Sequence, residues 1–431
     1  MTCCNSYSLS CHIQHYGWGK KGKESKVAKL MGTKADPNKP YAELWVGTHK
    51  KGPSFLRETN ILLSEYIDKE KEAAVGRHCY ARFASELPFL FKVLSIRKTL
   101  SIQAHPDKLL ARALHQKDPA NYPDKNHKPE LAIALEDFEA LCGFRKVDAI
   151  LHFFSQYKEF ARVVGESFVE SLIRSYEKSD KDLQRKCLKE CFTQLMNADE
   201  VVIKQSLAEL VSALRAKGLR NSLEDLIIRI YKDFSSDPGV FCILFMNYIK
   251  LKPGDALFVR PNTPHAYLSG DCVEAMACSD NVVRAGLTGK FKDVSTLCDM
   301  LDYSSEGVDE FVVSGRSHTA NIIKYAPPVE EFAVDRIQFV DPPQAFQLEP
   351  YAGPSILLCI EGCALTNLEP GGFVVKRGCL PRDVMKCGPS HFNRNYSFYT
   401  VQCHLHPCTK RTRLCGLSGV LRAWQRRGAG K

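Results

Sequence analysis

Thr99-Leu100-Ser101-Ile102-Gln103-Ala104-His105-Pro106 divides its side chains into two sets of opposite character. In an extended strand alternate residues share a face, so Thr99, Ser101, Gln103 and His105 point one way while Leu100, Ile102 and Ala104 point the other. Such a strand belongs either at a solvent surface or in the wall of a barrel whose interior is polar. Inside a barrel, Gln103 and His105 form a natural chelating pair, imidazole being a good zinc ligand and an amide oxygen a weaker one. At a surface the histidine is incidental, and this segment alone leaves both settings open.

Two further stretches add candidates. Lys128-Pro129-Glu130-Leu131-Ala132-Ile133-Ala134-Leu135 places Lys128 and Glu130 on one side of a strand. The carboxylate would complete a metal site, with the ammonium keeping it ionised or itself moving protons; a solvated ion pair is the alternative. Pro253-Gly254-Asp255 is followed by Pro261-Asn262-Thr263-Pro264-His265-Ala266-Tyr267, where two prolines fix the backbone on either side of Asn262 and Thr263 and aim His265. A Gly-Asp turn and a proline ahead of a histidine resemble the second half of a cupin motif, although a structural turn would read the same way.

Outward from these segments, residues 41–96 alternate short apolar runs with turn residues, as in Leu44-Trp45-Val46-Gly47 and Phe89-Leu90-Phe91-Lys92-Val93-Leu94, which predicts strands. No proline occurs between Pro129 and Pro238, and Ile203, Leu207, Leu210, Val211 and Leu214 recur at helical spacing. Asn221-Ser222-Leu223-Glu224-Asp225 supplies cap residues for another helix. Strand chemistry returns at 251–259 and at Ser355-Ile356-Leu357-Leu358-Cys359-Ile360. Strands, helices and strands again predict a mainly β protein with an α insertion. After about residue 375 the sequence turns Arg- and Cys-rich, and its pattern does not predict compact structure.

Leu100 to Pro106, His127-Lys128-Pro129-Glu130, Pro264-His265-Ala266-Tyr267 and the run Met276-Ala277-Cys278-Ser279-Asp280-Asn281-Val282-Val283-Arg284-Ala285-Gly286-Leu287-Thr288 closely resemble type I phosphomannose isomerases. Tyr16-Gly17-Trp18-Gly19 and Tyr41-Ala42-Glu43-Leu44-Trp45-Val46-Gly47-Thr48-His49 extend the resemblance from near the N-terminus to about residue 375. It implies a cupin (jelly-roll) barrel, expected over 1–146 and 249–310, an inserted helical domain over 147–248 and a second cupin-like domain over 311–375; residues 376–431 depart from the family as an atypical basic, Cys-rich tail, which leaves the closure of that second barrel open. It also implies one Zn2+ per chain on Gln103, His105, Glu130 and His265, and a zinc-dependent aldose–ketose isomerase acting on mannose 6-phosphate and fructose 6-phosphate through an enediol. Such an enzyme links glycolysis to the mannose supply for GDP-mannose.

The resemblance gives Arg284 as the catalytic arginine; without it a buried structural ion pair reads equally well. Glu274, Lys128 and Lys290 are candidates for proton transfer or for holding oxygens, and the sequence does not choose among them. Ser101 is the first choice for the substrate's phosphate, although a serine on a polar strand face is ordinary, and Trp18 and Tyr267 read equally well as walls for the sugar or as packing residues. Cys272 and Cys278 lack a Cys-x-x-Cys spacing and stay outside the metal set. The family usually has proline where this chain has Gly289, a change that loosens the backbone ahead of Lys290.

A net charge of +10 raises the possibility of a nucleic-acid partner. The excess sits at one end: residues 373–431 hold twelve Lys or Arg and one acid, Asp383, so the remainder is close to neutral. The expected partner is therefore a small phosphorylated sugar, with no nucleic acid and no membrane, and the expected state is a monomer. Cys403-His404-Leu405-His406-Pro407-Cys408 fits no known zinc finger well. The first residues carry no secretory pattern, and eighteen cysteines without a short even framework predict reduced thiols, so the expected location is cytoplasmic. The competing expectation is a cupin that binds a sugar phosphate as a sensor and has lost turnover.

Overall fold

The computed structural model describes residues 7–31, 35–340, 346–347, 353–366, 374–376, 395–402 and 420–422. Its central antiparallel sheet runs in the order Val312–Val313, Ala256–Val259, Glu130–Ala134, His265–Ala277, Phe89–Ile96, Glu43–Val46 and His12–Gln14. The 13-residue strand His265–Ala277 belongs to two layers. From Gly270 onward it pairs with Phe89–Ile96, and its beginning pairs with Phe138–Phe144 and with Gln103. The corner falls at Gly270, whose φ is +113°. A Cβ there would lie 2.6 Å from the Asp137 carbonyl oxygen and 2.8 Å from Phe138 Cα, so the crossing needs glycine.

Both faces of this sheet are covered, which is why Phe89–Ile96 is buried throughout. Leu94, Ile96, Ala132, Ala134, Leu257, Val259, Tyr267 and Cys272 form one cluster on the barrel's inner side. The alternate residues Phe91, Val93, Leu131, Ile133, Val273 and Ala275 turn outward and pack against Tyr325, Phe332, Val334, Tyr399 and Val401. Apart from Phe332, which immediately precedes Ala333, these last belong to a second sheet, ordered Arg316–Thr319, Ile322–Tyr325, Ala333–Val340, Asn395–Gln402, Ser355–Glu361. Polar ties reinforce the contact: Tyr325 Oη donates to the Gly254 carbonyl at 2.6 Å, and Glu331 accepts from Lys108 at 2.9 Å and His127 at 2.8 Å.

Helices occupy the chain from Val147–Gln156 to Gly239–Phe245. Ile203, Leu207, Leu210, Val211 and Leu214 lie along one buried stripe of Glu200–Ala216, and Asn221 caps Ser222–Tyr231 in a reciprocal capping box with Glu224. The helical core is continuous with Ile102, Ala104, Val283, Ala285 and Leu287. Phe241 and Phe245 are fully enclosed there, each side chain being worth roughly 1.5–3 kcal/mol of burial. The helices thus press on the back of the strand that carries Gln103. Among the described residues no helix is long and apolar enough to cross a membrane.

Two sequence expectations need revision. Hydrogen-bonded strand around Gln103 is confined to Ile102–Ala104, because Leu100 bonds instead to the Tyr267 carbonyl from a neighbouring turn. The region from 376 is not uniformly without structure: Asn395–Gln402 is the inner strand between Ala333–Val340 and Ser355–Glu361. Tyr396-Ser397-Phe398-Tyr399-Thr400-Val401 is rich in β-forming residues, a local signal hidden by the surrounding arginines and cysteines. Val312–Val313 still pairs with the barrel strand Ala256–Val259. The Cys403 to Cys408 stretch lies outside the described residues.

Candidate metal centre

Strand register assembles the centre. Gln103 sits directly opposite His265 on one side and Arg284 on the other, so all three side chains share the inner face. Glu130 opens the strand that pairs with the far half of the His265 strand. The ligand atoms of His105, Glu130 and His265 lie within 4.8 Å of one another, and all three residues are buried. His105 Nε2 is 3.2 Å from Glu130 Oε1, His265 Nε2 is 3.5 Å from Glu130 Oε2, and the Gln103 amide is 3.3 Å from His265 Nε2.

Backbone carbonyls set the imidazole tautomers. His105 Nδ1–H donates to Asn281 O at 2.8 Å and His265 Nδ1–H to Thr263 O at 3.0 Å, which leaves both Nε2 lone pairs aimed at the centre. Asn281 is itself buried and pinned, donating to the carbonyls of Asp124 and Asn126. Burial first and the Lys128 charge second push His105 down to about 3, so no proton lies between it and Glu130. Burial opposes ionisation of Glu130, but the Lys128 ammonium beside it holds the carboxyl well below its usual range. Two acceptors thus face each other at 3.2 Å, and His105 Nε2 has no hydrogen-bond donor. A cation resolves that conflict.

The donor set is nitrogen and oxygen. Cys142 and Cys272 lie in the barrel wall, where burial raises both thiols well above their ordinary range and keeps them protonated. The Gln103 amide as placed donates from Nε2 to His265, while its Oε1 accepts from Ser101 Oγ at 3.3 Å. A half-turn of the amide exchanges the two roles and still satisfies Ser101, whose hydroxyl both donates and accepts. These residues fit a zinc ion, and among the described residues no other His, Cys, Asp and Glu group has ligand atoms this close.

A second charged cluster lies on the same inner surface. Lys92 Nζ is 3.2 Å from Glu274 and 3.6 Å from Glu43, and sits 5.1 Å from the Trp45 ring centroid. Trp45 Nε1 donates to Glu43 at 2.5 Å. Burial favours the neutral amine, yet Glu274 and Glu43 outweigh it and raise the lysine above its ordinary value. Glu274 is raised by burial and then by the Glu130 charge, against Lys92 and Lys128. Lys128 Nζ is 2.9 Å from Glu130 Oε1.

At the mouth, Arg284 is half-buried, and burial lowers its pKa. Among the described residues neither Arg284 nor Lys290 makes an ion pair, so both charges are available to a ligand. Partial burial and the Arg284 charge push Lys290 below its ordinary value, and its Nζ stands 5.7 Å from the Tyr16 ring centroid. Tyr16 stacks on Trp18 at 5.8 Å. Tyr267 is buried in the inner cluster of the barrel, as the packing reading expects, and donates to Glu130 Oε2 at 3.3 Å.

Residues 7–147 match the family model for the phosphomannose isomerase type I catalytic domain, and residues 163–246 match its helical insertion domain. The chain is 42% identical to the mannose-6-phosphate isomerase of Schizosaccharomyces pombe, over 85% of this chain and 91% of that one. It belongs to the type I phosphomannose isomerase family. Its human relative, also a mannose-6-phosphate isomerase, is 41% identical over 84% of this chain and 88% of that one. The apo mannose 6-phosphate isomerase of Salmonella typhimurium superposes with a TM-score of 0.76 at 28% identity, covering 93% of this chain and 99% of that one. A mannose 6-phosphate isomerase bound with zinc and yttrium gives the same TM-score, identity and coverage. The cupin architecture expected from the family resemblance is therefore established.

Within this family member, sequence reading missed Lys92, Glu43 and Trp45 as neighbours of the site. A lone lysine inside the apolar run Phe89-Leu90-Phe91-Lys92-Val93-Leu94 was the available signal. Its partners come from the register, Lys92 standing opposite Glu274 on one side and Trp45 on the other.

Proposed function

We propose that the protein interconverts mannose 6-phosphate and fructose 6-phosphate with one Zn2+ held by Gln103, His105, Glu130 and His265. The observation that carries the reading is the buried, donorless His105 Nε2 facing an ionised Glu130 inside the barrel. A divalent ion at this place supplies Lewis-acid stabilisation of negative charge on the sugar's oxygens. Arg284, opposite Gln103 and without an ion pair among the described residues, supplies a second positive charge to the enediolate.

Glu274 and Lys128 are the proton-transfer groups in this reading. Burial and the Glu130 charge raise the Glu274 carboxyl, which makes it a stronger base than an exposed glutamate, and Lys92 keeps it oriented. Lys128 donates or accepts at the oxygens. Lys290 and Ser101 hold the phosphate at the mouth, with Trp18 beside them. In this reading the structural units are the barrel, over 1–146 and 249–310 with Val312–Val313 added to its sheet, the insertion over 147–248, and the second cupin-like unit that follows. The buried thiols described are free, which accords with a reducing cytoplasm.

The test is turnover of mannose 6-phosphate by purified protein before chelation, after it, and with zinc restored. Fructose 6-phosphate should appear, cease and reappear. A folded, zinc-loaded sample that binds the sugar phosphate and never converts it would reject the isomerase in favour of a sensor.

A further inference from the structure

The loop between the Arg284 strand and the next helix is closed at its base by one backbone bond, Asp293 N–H to Arg284 O at 2.9 Å. Lys290 stands near its tip, and Gly289 beside it has no atom within 4 Å of where a Cβ would be, so the tip has little packing of its own. Inside the loop the Lys290 N–H donates to Thr288 Oγ1 at 3.1 Å, and the other holds on its limbs come from outside it. Asp237, in the helical insertion just before Gly239–Phe245, accepts the Leu287 N–H at 2.9 Å on Oδ1 and the Lys292 ammonium at 3.2 Å on Oδ2. One carboxylate thus grips the outgoing limb and the returning limb, two residues or three from Lys290 on either side.

The grip is tight. Leu287 has φ +52°, a left-handed conformation that a leucine keeps only when its surroundings over-determine it. Oδ1 of Asp237 also accepts the Gly239 N–H at 2.8 Å, which fixes the carboxylate itself. A Cβ on Gly239 would lie 2.7 Å from Leu287 Cγ and 2.9 Å from Leu287 N, and one on Gly286 would lie 3.1 Å from Gly239 Cα. Two glycines therefore let the insertion approach the loop closely enough for Asp237 to reach both limbs.

We infer that Asp237 is a positioning residue through which the helical insertion sets the place of Lys290 at the phosphate end of the substrate. The inference rests on the proposed role of Lys290. Its chemistry is simple: a cation on a loose tip binds a phosphate weakly because ordering the loop must be repaid on binding, and pinning both limbs beforehand removes that cost.

The experiment uses full-length, zinc-loaded protein and four variants: Lys290→Ala, Asp237→Ala, Lys292→Met and the double variant Asp237→Ala with Lys290→Ala. KM and kcat for mannose 6-phosphate, inhibition by inorganic phosphate, zinc content and the thermal midpoint are measured for each. Lys290→Ala should raise KM and weaken phosphate inhibition by at least about tenfold. Asp237→Ala should do the same to a smaller degree with zinc retained, Lys292→Met should fall between it and wild type, and the double variant should match Lys290→Ala alone. Multiplying effects in the double variant, or a lowered thermal midpoint with KM unchanged in both Asp237→Ala and Lys292→Met, would overturn the inference and leave a merely structural aspartate. An unchanged KM in Lys290→Ala would overturn it together with the phosphate role of Lys290.

Discussion

Two charged clusters share the barrel interior and differ in one respect. Lys92 is matched by Glu274 and Glu43, and Glu43 is matched again by Trp45 Nε1, so every partner has a counterpart. His105, Glu130 and His265 are equally buried, with Gln103 partly so, yet a lone pair there faces a carboxylate with no donor between them. The matched group is architecture that orients Glu274, the carboxyl proposed above to move protons. The unmatched group is a binding site, since a buried polar atom left without a partner costs roughly 1–3 kcal/mol until something supplies one.

The comparison breaks if the matched cluster proves dispensable. Lys92→Met would leave Glu274 and Glu43 buried without their cation, and unfolding measurements should show a loss of about 3–5 kcal/mol with zinc still bound. Stability within about 0.5 kcal/mol of wild type would mean that the cluster is not paired as described. On the other side of the divide, Arg284→Ala should keep zinc and fold while kcat falls by about 10²–10³, since one preorganised donor to the developing charge is removed. A change confined to KM would assign Arg284 to binding instead.

Glu331 extends the comparison to the contact between the sheets. Burial opposes its ionisation, but His127 and Lys108 outweigh it and hold the carboxyl at about 2. A folded-state pKa depressed from the ordinary 4.5 contributes stability that is full above that value and is lost as pH falls toward 2. Wild type should therefore exceed Glu331→Gln by at most about 3 kcal/mol near neutral pH, and the gap should close by pH 2. A gap that persists at pH 2 would show that packing, not ionisation, carries the contact. The smallest effect expected is at Gly289, where nothing lies within 4 Å of a Cβ. Gly289→Pro should add about 0.4–1 kcal/mol by restricting the unfolded chain, and lower KM slightly.

The grouping of His105, Glu130 and His265 around the proposed metal position was legible because strand periodicity and a family motif act locally: Gln103 and His105 are two residues apart, as are Glu130 and its neighbour Lys128. Their second supports were not legible. Asn281 and Thr263 act through carbonyl oxygens, which every residue possesses; Thr263 reaches His265 from two residues away, but only the fold brings Asn281 to His105. The Lys92 cluster depends on cross-strand register between segments nearly 200 positions apart, and Asp237 reaches Leu287 from another structural unit. The strand Asn395–Gln402 was obscured for a different reason, a short β-forming run inside basic, cysteine-rich sequence.

The central claim is tested most directly by the zinc K-edge absorption spectrum of the purified protein, with metal content measured on wild type and on His105→Ala. One zinc per chain, surrounded only by nitrogen and oxygen at about 2.0–2.2 Å and lost from the variant, is the predicted result. Sulfur scattering at about 2.3 Å, or full zinc retention in His105→Ala, would place the ion on cysteines elsewhere and contradict the account.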